Sequence, residues 1–158
     1  MAQAYPNLPC YKLLNYGVCP IIGFGEKYLN LIYVKDLVQL IIKIAEADKF
    51  YNKIYFVNDG NCYSYTEIFD EIEMILAKKH IKIHVPESIA LFSGLMNDIF
   101  ISEKKRLVCR DKIRELAKEY WLCSNESSTK ELGFAPKYSL KQGMAETINW
   151  YRKHGFLR

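Results

Sequence analysis

The sequence lacks the features that mark several large classes of protein. No apolar run approaches the ~20 residues of a membrane-spanning helix, and no charged-then-apolar secretory segment opens the chain. The five cysteines are odd in number, widely spaced and without a Cys-x-x-Cys pair, which argues against disulfides and a zinc site. The net charge is only +4, and the basic residues are scattered apart from residues 104–106. We therefore expect a cytoplasmic protein that binds neither membrane nor nucleic acid.

The composition favours one compact domain. Half of the 158 residues are apolar, which is enough for a core at this length. No internal repeat, low-complexity stretch or linker interrupts the chain. We expect residues 1–158 to form a single domain.

The C-terminal quarter carries a dense set of local signals. Gly133 can end a short polar helix in the left-handed conformation, and Pro136 blocks its resumption. Ser139 and Gln142 form a capping box that predicts a new helix from Leu140. Its apolar face is spaced by four, four and three residues, and a glycine supplies the stop: Leu140, Met144, Ile148, Tyr151 and Gly155. Any capped terminal helix could have this pattern.

Similar patterns predict the remaining elements. Asp36 opens a helix over about Lys35 to Ala47 whose apolar residues wrap most of its circumference, so it needs cover on two sides. The run IYFV predicts a strand over Lys53 to Asn58 that is buried on both faces and ends in a turn. The other predictions are extended segments at 11–14, 18–22 and 29–34, a capped helix from Ser64 to Ala77, a strand at 81–85, and helices from Pro86 to Met96 and from Asp111 to Tyr120.

Four stretches, in order and spacing, carry a family resemblance. They read LNLIYVKDLVQLIIKIAE (29–46), KIYFVNDGNCYSYTEIFDEI (53–72), VPESIALFSGL (85–95) and LGFAPKYSLKQGMAETINWYRKHGFL (132–157). These are similar to the runs F-V-H-V-D-D-L-A, Y-N-V-x-D-G-x-x-x-S-x-x-E-L, V-P-x-x-L-A and LG-F-x-P-x-x-S-L-x-x-G-L-x-x-T-x-x-W-Y. The chain thus resembles the NAD-dependent epimerase/dehydratases, or extended short-chain dehydrogenase/reductases.

The parts of that family's pattern that carry chemistry are absent from this sequence. A Gly-rich strand-to-helix turn would cradle the dinucleotide, but only Gly23 and Gly25 stand close and no helical pattern follows them. None of the twelve tyrosines has a lysine four residues later. The resemblance therefore implies an α/β C-terminal fragment: the substrate-binding lobe and the last strand and helix of the Rossmann sheet, without the N-terminal Rossmann half. No cofactor is expected in this chain, whereas NAD or NADP is expected for the intact parent.

The resemblance also implies a function for the intact protein. It would be an NAD(P)-dependent epimerase, dehydratase or reductase acting on a sugar, nucleotide sugars included, or on a related alcohol. The lobe would position this small-molecule substrate, and we expect the chain alone to be inactive. The alternative is a standalone, non-catalytic binding or interaction module that kept the lobe and lost the chemistry.

The substrate contacts are expected at two places, and no catalytic residue is predicted. In nucleotide-sugar members of the family, an arginine before the VHVDD strand contacts the pyrophosphate. Leu29 and Asn30 stand at the matching places, and Lys35 replaces the first paired acid. We predict substrate binding by Asn30 and by three arginines that the resemblance places on the substrate-facing side: Arg106, Arg110 and Arg114. A solvated charged face is the alternative for the arginines.

Other polar residues have simpler interpretations. His80, His84 and His154 lack the spacing of metal ligands. Asp36 at a helix start is expected to cap that helix rather than to act as a catalytic acid. Cys123 has no basic neighbour or helix start to activate its thiol, so packing is expected.

Self-association is the last expectation. The apolar helix at 35–47 and the IYFV strand both need cover that the Rossmann sheet would supply. Because that sheet is outside this chain, we expect copies to associate as homo-oligomers through these elements.

Overall fold

The computed structural model describes residues 16–47, 52–100 and 110–157. Within them lie five strands and six α-helices in a mixed α/β order. The strands are β1 (Val18–Ile22), β2 (Tyr28–Leu29), β3 (Tyr63–Ser64), β4 (Ile81–Val85) and β5 (Tyr120–Trp121). The helices are α1 (Val34–Ala45), α2 (Tyr65–Leu76), α3 (Glu87–Phe100), α4 (Arg110–Ala117), α5 (Glu126–Leu132) and α6 (Leu140–Lys153).

Both predicted capping boxes are confirmed. At the start of α6, the Ser139 amide donates to Gln142 Oε1 at 2.9 Å, and the Gln142 amide donates to Ser139 Oγ at 3.3 Å. Ser64 and Glu67 exchange the equivalent bonds at the start of α2, at 2.7 and 3.1 Å. Gly133 ends α5 with φ 57°, in the left-handed conformation predicted for it. These ends are determined locally, because the capping-box partners are three residues apart and the Gly133 amide binds the Ser128 carbonyl five residues before it.

The described strands form two small sheets. β1 pairs in parallel with β4, from Val18 opposite Ile81 to Ile22 opposite Val85. In the other sheet, β2 lies between β3, which is antiparallel to it, and β5, which is parallel.

The contacts within the chain divide into two compact units. Unit B consists of Lys27–Ile72 and Tyr120–Thr147, and unit A contains the rest. In unit B, buried Leu40 of α1 meets Leu132 and Phe134, and four partly buried residues pack on them: Ile32, Ile44, Tyr55 and Val57. In unit A, β1 buries Cys19 and Ile21, and α3 packs against α4. The expectation that residues 1–158 form one domain stays a prediction.

Four sequence predictions need correction or lie outside the described residues. The stretch Lys53–Asn58 is not assigned as a strand, and it is buried on one side only, since Ile54 and Phe56 are exposed. Only Tyr28–Leu29 is a strand in the segment predicted to be extended up to Val34. The helix predicted over Asp111 to Tyr120 ends at Ala117, because Tyr120 pairs with Tyr28. The segment 11–14 is not described.

The role predicted for Asp36 is also wrong. Tyr33 is the N-cap residue of α1, and no side chain caps that end. Asp36 is instead buried, and its Oδ2 accepts hydrogen bonds at 3.1 Å from the amides of Lys137 and Tyr138. Asp36 therefore attaches the loop before α6 to α1, across about a hundred residues of sequence.

Candidate functional site

Asn30, a predicted substrate contact, links three segments of unit B. Its Oδ1 accepts a hydrogen bond from the Cys123 amide at 2.7 Å, and its Nδ2 donates to the Asn61 carbonyl at 2.6 Å. Its own amide donates to the Trp121 carbonyl at 3.1 Å. Both ends of the side chain are thus engaged by backbone groups, and a role in binding substrate stays a prediction.

The turn at residues 58–61 continues this network. Buried Asn58 donates to the Cys123 carbonyl at 2.8 Å and accepts from the Gly60 amide at 2.7 Å. The Asn61 amide donates to Asp59 Oδ1 at 3.0 Å, and the Tyr63 hydroxyl donates to Asp59 Oδ2 at 2.6 Å. Burial, and then this bond to Asp59, raise the pKa of Tyr63 to about 12. Asn30 is therefore linked to Asp59 through Asn61, because it binds the Asn61 carbonyl while the Asn61 amide binds Asp59.

A second cluster joins α1 to α6. The Tyr33 hydroxyl and the Lys35 ammonium both contact Glu146 Oε2, at 2.5 and 2.6 Å. The Tyr33 ring lies 4.8 Å from the Tyr138 ring, centroid to centroid. Burial, and then the hydrogen bond to Glu146, raise the pKa of Tyr33 to about 12, while the Lys35 bond holds the pKa of Glu146 below its usual value.

Gly143 allows α6 to approach Tyr33 closely. A Cβ at this position would lie 2.9 Å from Tyr33 Cδ2 and 3.1 Å from Tyr33 Cγ. Those atoms are near the root of the side chain, so they cannot move aside cheaply. A side chain at 143 would push α6 away from the cluster.

A groove of about 220 Å³ lies between residues 31–33, Asp59 and the start of α6. Its walls are mostly apolar, and Asp59, Ser139 and Thr147 are among the residues that line it. An ionised carboxylate accepts hydrogen bonds from hydroxyl groups, and apolar walls suit the C–H faces of a small polar ring. The groove can therefore hold a small molecule that carries hydroxyls.

The sequence interpretation missed the residues that build this groove. In the sequence, Asp59 belongs to the turn that follows residues 53–58 and Ser139 to a capping box, and no substrate contact is predicted at either of them or at Tyr33 and Glu146. The position of Asp59 after the stretch 53–58 was an available signal. No sequence signal pairs Tyr33 with Glu146, because 113 residues separate them.

Two of the three predicted arginines belong to α4. Arg114 is in unit A, on α4, with its Nη1 3.5 Å from Asp111 Oδ1 at an exposed position. Arg110 is the first residue of α4, and Arg106 is outside the described residues. Substrate binding by these arginines stays a prediction.

The described residues contain neither a candidate metal site nor a candidate membrane span. No group of three histidine, cysteine or acidic residues there could hold a metal ion. No helix in that part of the chain is long and apolar enough to cross a membrane. Cys123 is partly buried beside Asn58, in agreement with packing.

No family model matches the chain. It is 26% identical over 165 residues to the uncharacterized protein y4nL of Sinorhizobium fredii, covering 95% of this chain and 45% of that protein. It is also 26% identical over 152 residues to the N-acetyl-alpha-D-glucosaminyl-diphospho-ditrans,octacis-undecaprenol 4-epimerase of Escherichia coli O157:H7, covering 91% of this chain and 44% of that protein. The chain thus spans less than half the length of these curated relatives.

Solved structures agree on the fold. The UDP-glucuronic acid 4-epimerase of Bacillus cereus, in complex with UDP-glucuronic acid and NAD, matches 97% of this chain with 40% of its own (TM-score 0.66, 14% identity). The dTDP-glucose 4,6-dehydratase of Bacillus anthracis, in complex with NAD, matches 93% with 39% of its own (TM-score 0.63, 18% identity). The UDP-glucose 4-epimerase of Thermotoga maritima, with UDP-glucose, matches 92% with 38% (TM-score 0.63, 20% identity).

These matches confirm the resemblance and the fold class. Nearly the whole chain corresponds to about two fifths of each solved epimerase or dehydratase. The chain therefore has the fold of part of an NAD-dependent epimerase/dehydratase, that is, of an extended short-chain dehydrogenase/reductase.

Proposed function

We propose that the chain is the substrate-binding part of an NAD(P)-dependent enzyme that epimerises, dehydrates or reduces a sugar carried on a diphosphate. The observation that carries this proposal is the match of 91% of the chain to a sugar 4-epimerase. The similar solved enzymes bind UDP-glucuronic acid or UDP-glucose, which are sugars of the same chemical class.

In this proposal, the groove beside Asp59 receives the sugar. The Asp59 carboxylate accepts hydrogen bonds from sugar hydroxyls, and the apolar walls formed by Leu31 and Met144 contact the ring. Asn30 is a positioning residue, because it holds the Asn61 carbonyl while the Asn61 amide holds Asp59. The Tyr33–Glu146 bond keeps the start of α6 against the groove.

The chain does not carry the redox chemistry in this proposal. In the intact enzyme, NAD or NADP would take a hydride from the sugar carbon and return it, or in a reductase the reduced form would donate it. The sequence has no Tyr-x-x-x-Lys pair to move the hydroxyl proton. The part played by this chain is to orient the sugar and to exclude water from it.

Calorimetric titration of the full chain with UDP-glucose and UDP-glucuronic acid tests the sugar site. We expect binding, and we expect Asp59→Asn to weaken it at least about tenfold, since a hydrogen bond to a charged group contributes ~1.5–3 kcal/mol. Asp70→Asn, which removes the same charge from an exposed position of α2, is the matched control. Equal affinities for the three proteins would contradict the proposed groove.

Titration with NAD and NADP tests whether the chain alone binds the cofactor. We expect no tight binding by the chain alone and no change in nicotinamide absorbance when a nucleotide sugar is added. Binding of either dinucleotide at one site with micromolar affinity, or turnover that persists through repurification, would mean that the chain has its own catalytic centre. A standalone binding module would bind its ligand without ever needing the dinucleotide.

A further inference from the structure

The turn at residues 58–61 contains a bond that is prone to spontaneous rearrangement. Asp59–Gly60 is the only Asp–Gly pair in the sequence, and the sequence has no Asn–Gly pair. An aspartate before glycine isomerises readily, because glycine has no Cβ to keep its nitrogen away from the aspartate side chain. Gly60 has a φ of 85°, which favours glycine, so the turn itself requires the residue that makes this bond labile.

The rearrangement joins the Gly60 nitrogen to the side chain of Asp59. The nitrogen attacks Cγ of the protonated carboxyl group, and the hydroxyl of that group leaves with the amide hydrogen as water. The product is a five-membered succinimide ring. Water then adds at Cγ, which restores aspartate, or at the main-chain carbonyl carbon, which breaks its bond to nitrogen and leaves Gly60 attached through Cγ as isoaspartate. No oxidant or reductant takes part, and the water that is lost is regained.

The folded turn holds the attacking nitrogen in place. The Gly60 amide donates a hydrogen bond to Asn58 Oδ1 at 2.7 Å. The Asn58 side chain is buried, and its Nδ2 donates to the Cys123 carbonyl at 2.8 Å, so the acceptor is fixed in position. Closing the succinimide ring would remove the amide hydrogen and leave Asn58 Oδ1 buried without a donor, which costs free energy.

The carboxyl group of Asp59 is held by both of its oxygens. The Asn61 amide donates to Oδ1 at 3.0 Å, and the Tyr63 hydroxyl donates to Oδ2 at 2.6 Å. The pKa of Tyr63 is raised to about 12, so this hydroxyl stays protonated at neutral pH and remains a donor. The Asp59 amide also donates to the Leu31 carbonyl at 2.8 Å. Turning Cγ toward the Gly60 nitrogen would therefore break the bonds to the carboxyl group.

We propose that the turn at residues 58–61 is a latent isoaspartate site, which Asn58 and Tyr63 keep unreacted as long as the turn is closed. Asn58 holds the attacking nitrogen, and Tyr63 holds the carboxyl group that it attacks. Reaction requires the turn to open, so its rate follows the fraction of molecules in which these bonds are broken. Isoaspartate would place Cβ in the main chain and withdraw the carboxylate from Asn61 and Tyr63, which changes the groove at Asp59.

Incubation of the full chain in water labelled with oxygen-18 measures the reaction. Each passage through the succinimide places one oxygen-18 atom in the peptide that contains Asp59, and mass spectrometry after digestion counts it. Methylation by an isoaspartyl methyltransferase, with S-adenosylmethionine, counts the isoaspartate itself. We expect the folded chain to take up label at least ~10-fold more slowly than a synthetic peptide of residues 56–64, because only the open fraction reacts. The chain unfolded in urea should match the peptide in the same urea.

Two variants test the two holding residues. Tyr63→Phe keeps the ring and removes the bond to Asp59, so label uptake by the folded chain should rise at least ~3-fold. Tyr28→Phe removes a hydroxyl from the neighbouring strand β2 and is the matched control, for which we expect no change. Asn58→Ala removes the acceptor of the Gly60 amide and should raise uptake further. Circular dichroism checks that each variant is folded, and in urea all variants should react like the unmodified chain.

The Tyr63→Phe comparison decides between the outcomes. Slow uptake in the folded chain that rises in Tyr63→Phe and not in Tyr28→Phe would support the proposal, and this comparison stands even if Asn58→Ala does not fold. Uptake by the folded chain at the rate of the peptide would overturn the proposal, because the closed turn would then give no protection. Slow uptake that Tyr63→Phe leaves unchanged would also overturn it, since the protection would then come from elsewhere in the fold.

Discussion

The start of α6 and the stretch 53–58 both carry a clear sequence pattern, and they differ in where the partners lie. Ser139 and Gln142 satisfy each other within one helical turn, so α6 begins where the sequence predicts. Ile54 and Phe56 follow the pattern of a buried strand, but their partners are not within the described residues. A sequence pattern predicts a local structure well when the groups that satisfy it are close in sequence. When those groups are distant, the pattern shows only that the residues need such partners.

The largest expected effect concerns the exposed apolar side chains of α1. Covering an exposed Val or Ile side chain stabilises by ~1.5–3 kcal/mol, and α1 alone exposes four of them. We therefore expect the isolated chain to form a homodimer or larger assembly in sedimentation equilibrium. Ile41→Asp should shift it toward the monomer. A monomer mass for the unmodified chain up to near-millimolar concentration would mean that these side chains of α1 do not hold copies together.

The second test compares two isoleucines. Ile148 of α6 is 5% exposed and Ile54 is 87% exposed. Ile148→Ala should lower the free energy of unfolding by ~2–4 kcal/mol through lost burial and a cavity. Ile54→Ala should change it by less than ~0.5 kcal/mol. Urea melts measure both changes in the free energy of unfolding. Similar losses for the two variants would mean that Ile54 contributes as much to packing as Ile148 does.

The third test concerns the approach of α6 to Tyr33. Gly143→Ala should lower the free energy of unfolding by ~1–3 kcal/mol through the clash with the Tyr33 ring. The higher helix propensity of alanine offsets ~1 kcal/mol of this loss. In a Tyr33→Ala background the clash is gone, so the same change should become stabilising. A double-mutant cycle measures this reversal, and additive effects would refute the close contact.

The fourth test concerns the capping box alone. Ser139→Ala removes the acceptor for the Gln142 amide and should lower stability by ~1 kcal/mol. Ser127→Ala, at an exposed position of α5, should have an effect within ~0.5 kcal/mol. Equal losses of stability for the two variants would mean that the capping box does not determine where α6 begins.

A further effect is expected only at alkaline pH. The pKa of Tyr33 is raised from 10.0 to about 12, so the folded state holds this proton more tightly than the unfolded state does. The resulting stability is fully present below pH 10.0 and is lost as the pH rises to about 12. Denaturant melts across this interval should show a decline that is shallower in Tyr33→Phe. An unchanged decline would mean that Tyr63, whose pKa is also raised to about 12, accounts for it.

Sequence reasoning predicted the helix boundaries better than the groove. α1, α2 and α6 begin within one residue of the predicted positions, because their signals lie within a turn. The helix predicted up to Tyr120 was too long because Tyr120 pairs with Tyr28, a residue far away in sequence. Of the predicted binding residues, Asn30 directly precedes the groove residue Leu31, and its side chain is held by backbone groups.

Residue types at short, fixed spacings are enough to predict the caps of α2 and α6, the left-handed end of α5 and the family resemblance. The roles of Asp36, Tyr33 and Gly143 depend instead on contacts between distant segments. Asp36 binds amides about a hundred residues away, and Tyr33 meets Glu146 and Gly143 on α6. A short pattern specifies which groups a residue can satisfy, whereas the packing of distant segments specifies which groups it meets.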